Sequence, residues 1–182
     1  MKRIIAFAGS NSKNSINHLL VSAITRQIEN CETKVIRLSD YDIPMYGIDL
    51  ENEAGIPIDV QLLKNEIAKS QGVIISVNEH NGSVSAFFKN ILDWLSRADR
   101  NYLEGKKVLL ASTSPGARGA KTALEYAKMS LPRFGADVVE SFSFPSFQEN
   151  FDSDKGIVTN ANLQLGLDEV IASFVQEVQS AS

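Results

Sequence analysis

Apolar residues along this chain follow two rhythms. Short runs, Arg3 to Ala8, Lys34 to Leu38, Gly72 to Val77, Lys107 to Ser112 and Ala136 to Val139, lack the polar alternation of a half-exposed antiparallel strand. They predict buried strands of a parallel sheet. Between them, Val84, Phe87, Phe88, Ile91, Leu92 and Leu95 recur at helical spacing and mark one face of an amphipathic helix, with Ser83 as its expected N-cap. Leu167, Val170, Ile171, Phe174, Val175 and Val178 form a second such stripe, expected to close the fold over one sheet face. Further helices are predicted over Asn17 to Asn30, Asp59 to Ser70 and Arg118 to Phe134, the last stopped by Gly135.

Five strands joined by right-handed helical crossovers predict an open three-layer α/β sandwich with a five-stranded parallel sheet in the flavodoxin-like order 2-1-3-4-5. The six-stranded dinucleotide fold is the competitor, but it asks for a longer chain and usually a glycine fingerprint missing here. The Pro-punctuated stretch Asp40 to Pro57 is expected to be one long loop, with Met45 and Tyr46 lining a pocket or a subunit contact. No internal repeat or linker divides the chain, so residues 1–182 are expected to act as one domain.

Composition narrows the function classes. A chain of 182 residues, 43% hydrophobic and 22% charged, is long enough to bury a sizeable core. A net charge of −4 without clustered Lys and Arg argues against a nucleic-acid partner. The lone Cys31 makes no internal disulfide, and MKRIIAFAGS carries too short an apolar run for a signal peptide, so a reducing cytoplasm is expected. No apolar stretch approaches the roughly 20 residues needed to cross a bilayer, and no membrane insertion is expected.

In an open parallel sheet, ligands gather beyond the carboxyl ends of the strands where the strand order reverses, here between the first and third strands. The loop after strand 1 reads Gly9, Ser10, Asn11, Ser12, Lys13, Asn14, Ser15, Ile16, Asn17. The unpaired N–H groups and positive dipole end of the helix that follows, joined by three Ser hydroxyls, form a cradle for a phosphate dianion. It lacks the later glycines of G-x-G-x-x-G and the Lys-Ser/Thr of a triphosphate loop, so a terminal monophosphate suits it best. Taken alone, the same residues equally fit a helix-capping turn.

The third loop, Asn78, Glu79, His80, Asn81, Gly82, Ser83, lies where a planar ring beside that phosphate would sit; alone it also reads as an ordinary strand-helix turn with His80 in solvent. The fourth, Ser112, Thr113, Ser114, Pro115, Gly116, Ala117, Arg118, Gly119, has glycines that permit close backbone approach to a ligand. Its Arg118 either meets a phosphate of an incoming nicotinamide nucleotide or is simply solvated. Two His and one Cys show no metal-ligand spacing, and Ser10 is not in a G-x-S-x-G elbow, so metalloenzyme and hydrolase readings are set aside.

At these three loops the chain resembles the NADPH-dependent FMN reductase family, flavodoxin-like enzymes that include quinone, chromate and azo-dye reductases. The family's G-S-x-R-x-x-S-x-N is matched by Gly9, Ser10, Ser15 and Asn17, with Ser12 in place of the Arg. Its P-E-Y-N-[GY]-S and following K-N-x-x-D-W are matched by Glu79, Asn81, Gly82, Ser83, Lys89, Asn90, Asp93 and Trp94, with Asn78 for the Pro and His80 for the Tyr. The resemblance implies an FMN cofactor. Its phosphate would be held by Ser10, Ser12, Ser15, Ile16 and Asn17, its ring by Asn78, Glu79, His80, Asn81 and Gly82, and a further contact made by Thr113, Ser114 and Gly116. It implies NAD(P)H as cosubstrate, a ping-pong hydride relay to a flavin, quinone or similar small acceptor, no catalytic side chain, and a homodimer or homotetramer built through the helix after the second motif. Trp94, at the margin of the apolar stripe, would serve that interface or edge the core. Two other readings share the fold: a flavodoxin-type electron carrier and a flavin-less regulatory module.

Overall fold

The computed structural model describes residues 1–181. In chain order the elements are β1 (Arg3–Ala8), α1 (Ile16–Arg26), β2 (Glu32–Val35), α2 (Ile48–Ala54), α3 (Ile58–Ala68), β3 (Gly72–Val77), β4 (Glu79–His80), β5 (Ser83–Val84), α4 (Ala86–Ala98), β6 (Lys107–Thr113), α5 (Lys121–Ser130), β7 (Asp137–Phe144), α6 (Phe147–Asn150), β8 (Phe151–Asp152), β9 (Ile157–Val158) and α7 (Ala161–Ser180). Five of the strands form one parallel sheet, ordered β2-β1-β3-β6-β7. This is the order expected from the sequence, counted over sheet strands alone.

The side-chain alternation of a strand divides the core in two. Ile4, Ala6, Ile74, Leu109 and Ala111 meet Leu20 and Ile24 of α1 and Leu167 and Phe174 of α7 on one face. Ile5, Phe7, Val73, Ile75 and Leu110 meet Leu63 of α3, Phe88 and Ile91 of α4 and Leu124 of α5 on the other. Central strands covered on both faces are apolar over most of their length, which is why β1 and β3 have the boundaries their sequence suggests. A cavity at such a position, as in Phe174→Ala, would cost about 3–5 kcal/mol.

The departures lie at edges and in polar segments. β2 starts two residues earlier than expected and ends at Val35, while Leu38 turns into a short 3₁₀ segment, Leu38–Asp40. As an edge strand paired only to β1, β2 has no need of a continuous apolar run. β7, the other edge, runs to Phe144, five residues past Val139, and a bulge shifts its register against β6 between Val108 and Leu109. Its half-buried Glu140, Ser141 and Ser143 concealed it.

The stretch from Asp40 to Pro57 is not one loop, since it contains α2. This helix buries none of its residues and so has no apolar stripe to reveal it; Asp49 and Glu51 in its first turn suit the positive end of its dipole. α4 begins at Ala86, and Ser85 rather than Ser83 is its N-cap. Ser83 belongs instead to the β4-β5 hairpin, paired with His80. Asn81 (φ 52°) and Gly82 (φ 78°) form its turn, the left-handed pair that a two-residue hairpin favours. α5 starts at Lys121 because Gly119 (φ 56°) and Ala120 (φ 59°) both adopt left-handed backbone, and Gly135 (φ 90°) ends the 3₁₀ turn that follows α5. Trp94 is fully buried and belongs to the core. Among the described residues no helix is long and apolar enough to cross a membrane.

Candidate functional site

Where β1, β3 and β6 end, their loops converge on a cleft of about 210 Å³ walled by Ser10, Ser12, Asn14, Ser15, Ile16, Asn17, Asn78, Glu79, His80, Thr113, Ser114 and Pro115. Ten of the thirteen residues expected from the sequence stand in this wall. Asn81 and Gly82, at the hairpin tip, and Gly116 stand outside it, whereas Asn14 and Pro115 line it without having been nominated. A larger hollow, about 450 Å³, lies between Gln27–Asn30 and the outer face of α7, away from the strand carboxyl ends. It lacks the converging loops.

The first loop is held from below. Gly9 N–H donates to the Ser76 carbonyl at 2.9 Å. Ser85 Oγ donates to the Gly9 carbonyl at 2.8 Å while accepting from Phe88 N at 3.1 Å. A Cβ at Gly9 would lie 2.7 Å from Phe88 Cγ, so only glycine lets α4 pack this close to the loop.

Above that anchor the loop presents donors. Ser10 Oγ accepts from Ser12 N, and Ser12 Oγ from Asn14 N, each at 3.2 Å; both hydroxyl protons stay free to donate. Ser15 caps α1, its Oγ accepting from His18 N at 3.1 Å. The backbone N–H groups of Ile16 and Asn17 have no acceptor among the described residues, so the α1 N-terminus offers two orphan donors at the positive end of its dipole. Burial, aided by the Arg37 guanidinium and opposed by Asp40, holds the His18 imidazole below its ordinary value. The wall contains no Lys or Arg, and Lys13 is exposed beside it.

Several expected contacts are engaged within the protein. The Asn17 carboxamide is buried and bonded to Ser76 and Thr113. Thr113 Oγ1 donates to the Phe144 carbonyl at 2.8 Å. Glu79 Oε2 accepts from Ala123 N at 3.0 Å. Arg118 is exposed and donates to Thr122 Oγ1 at 3.1 Å. Asn78 keeps a buried Oδ1 without any hydrogen-bond partner, an acceptor that a donor on a bound group would satisfy.

The second motif's helix also has an internal task. The Pro44 carbonyl accepts from Asn90 Nδ2 at 2.9 Å and from Trp94 Nε1 at 2.8 Å, and Tyr46 N donates to Asn90 Oδ1 at 2.7 Å. Tyr46 then stacks edge-on against Trp94 at 5.0 Å. Asn90 and Trp94 thus clamp the loop before α2, while Lys89 and Asp93 pair on the surface. The positioning residues Ser76 and Ser85 were missed from sequence. The available signal for Ser76 was a hydroxyl near the carboxyl end of an otherwise apolar strand.

The site fits FMN: neutral donors and a helix N-terminus suit a terminal phosphate, and an unpartnered acceptor stands beside it. Comparison with known proteins agrees. The model of the NADPH-dependent FMN reductase family matches residues 2–149. A quinone reductase of Escherichia coli strain K12 is 30% identical over 188 residues, covering 97% of each chain. An NADPH:quinone oxidoreductase of Arabidopsis thaliana is 32% identical over 122 residues, covering 66% of this chain and 62% of that one. The solved structure of FerB, a flavoenzyme NAD(P)H:(acceptor) oxidoreductase from Paracoccus denitrificans, superposes with a TM-score of 0.80 at 29% identity, covering 100% of this chain and 99% of the other. With fold, cleft and kinship in agreement, the chain belongs to the NADPH-dependent FMN reductase family and is a flavodoxin-like, FMN-dependent NAD(P)H oxidoreductase.

Proposed function

We propose that this chain, acting as one domain, passes electrons from NAD(P)H to a small quinone-type acceptor. The observation that carries the proposal is the pair of unpartnered N–H groups of Ile16 and Asn17 in a cleft also walled by the third and fourth loops. Kinship with quinone reductases supports the acceptor class. FMN, when bound, supplies the hydride chemistry that links a two-electron donor to an acceptor.

The protein's own part is to bind, orient and exclude. Ser10 and Ser12 donate their hydroxyl protons to the phosphate, joined by the N–H groups of Ile16 and Asn17; Ser15 holds the helix end that presents them. Asn78 and Glu79 would flank the ring, with exposed His80 at the rim, and Thr113 and Ser114 would close the far side; Asn81, Gly82 and Gly116, outside the cleft wall, would reach the ring only through their backbone. No side chain serves as nucleophile or metal ligand. Arg118, exposed in the fourth loop, would meet a nucleotide phosphate in this reading.

A second copy of the chain completes the assembly in this reading. Met45, Ile48, Ile58 and Leu62 leave large apolar side chains 70%, 53%, 73% and 49% exposed around α2 and α3, surface that association would cover. The single, buried Cys31 suits a reducing cytoplasm.

The test is turnover. Protein reconstituted with FMN should oxidise NADPH when benzoquinone is present, and far more slowly when it is not. Reduction that proceeds only with a partner reductase would identify an electron carrier instead.

A further inference from the structure

We propose that the Asn17 carboxamide is a positioning residue that sets the phosphate cradle against the fourth loop, rather than a phosphate ligand; the inference rests on the FMN reading above. Asn17 is 3% exposed, and three hydrogen bonds occupy its amide. Oδ1 accepts from Ser76 Oγ at 2.7 Å and from Thr113 N at 3.1 Å, while Nδ2 donates to the Thr113 carbonyl at 3.2 Å. Both lone-pair directions of the oxygen are filled, and one of the two Nδ2 protons is used.

The arrangement has a structural logic. The β3-β6 ladder ends at Val77↔Ser112, so the next residue of β6, Thr113, would face β3 with an unpaired N–H and C=O. The Asn17 amide takes both, adding one rung to the sheet from a helix. The second residue of α1 is thereby tied to β6, two strands away from β1 in the sheet order. The two N–H groups of the cradle belong to Ile16 and Asn17 itself, so this side chain fixes where those donors stand relative to Thr113 and Ser114. Ser76, 0% exposed, completes the clamp from outside the cleft wall.

That last feature separates positioning from direct contact. A displaced cradle prevents phosphate and ring from being engaged together, so affinity for FMN falls while affinity for riboflavin, which has no phosphate, changes little. Generic loosening of the fold would lower both. The experiment measures dissociation constants of FMN and riboflavin by fluorescence quenching for the wild type, Ser76→Ala, Asn17→Ala and the double variant, with thermal midpoints as the folding control. Ser76→Ala and Asn17→Ala should each reduce the FMN-to-riboflavin affinity ratio by about tenfold, and the double variant should be no worse than Asn17→Ala. If Asn17→Ala does not fold, the milder Ser76→Ala carries the test. A ratio unchanged in Ser76→Ala overturns the inference, including the case in which Asn17→Ala alone abolishes it and Asn17 acts as a ligand. A wild type that binds neither flavin overturns the FMN reading itself.

Discussion

Glu79 Oε2 accepts a hydrogen bond from the backbone N–H of Ala123 at 3.0 Å, so a residue of the third loop caps the helix that follows the fourth. α5 needs that help, because its own N-cap, Ala120, has no side-chain acceptor. A carboxylate here also meets the positive end of the helix dipole. Glu79→Ala is expected to lower stability by about 1 kcal/mol, read as a lower thermal midpoint, and to weaken FMN binding as the hairpin shifts. Glu79→Gln keeps an acceptor and should lie closer to wild type. Equal losses in the two variants would count against the cap.

Gly9 is expected to tolerate no side chain. Its Cβ would press on the Phe88 ring at 2.7 Å, inside a packed core, and overpacking of this kind costs about 1–3 kcal/mol. Gly9→Ala should therefore bind FMN poorly and melt earlier. Pairing it with Phe88→Leu, which makes room, should recover part of the loss.

Ser12 takes the place of the Arg in the motif that the first loop resembles, and the cleft wall contains no cation. Ser12→Arg adds a charge-assisted partner for a phosphate at an exposed position without disturbing the core. Affinity for FMN should rise by about tenfold and become more sensitive to salt, while affinity for riboflavin stays the same. A rise for both flavins would point away from the phosphate.

Acid should weaken the fold through Glu66. Hydrogen bonds from Lys34 and Lys69 hold its carboxyl at about 2, below its ordinary 4.5, and Arg3 stands 3.5 Å away. A carboxylate with a depressed folded value stabilises the protein fully above its unfolded value, and that stability is lost as pH falls from about 4.5 toward 2. With solvent screening taken into account the effect is about 1 kcal/mol. Thermal midpoints of Glu66→Gln should accordingly lie below wild type at pH 7, with the gap closing under acid. A constant gap would contradict this origin.

What could be read from the sequence follows from burial. β1 and β3, covered on both faces, announce themselves as apolar runs; α2 has no fully buried residue and packs only the half-buried Leu50 on the core, so it left no stripe. The Asn81-Gly82 pair is a hairpin-turn signal, but its polar flanks hid the two short strands and the loop read as a strand-helix turn. The first loop reads equally as a cap and as a cradle, because capping and anion binding use the same residue types at a helix start. What could not be read was which polar atoms face the cleft and which face inward. Asn17 and Thr113 carry donors and acceptors that suit a ligand equally well, and only three-dimensional neighbours such as Ser76 and Phe144 reveal that their side chains are engaged within the protein.

The most direct measurement is the visible spectrum of the FMN-loaded protein during anaerobic titration with NADPH, followed by addition of benzoquinone. The flavin band should appear at one FMN per chain, bleach with NADPH alone and return with the quinone. Protein that takes up no flavin, or whose bound flavin NADPH does not bleach, would contradict the assignment.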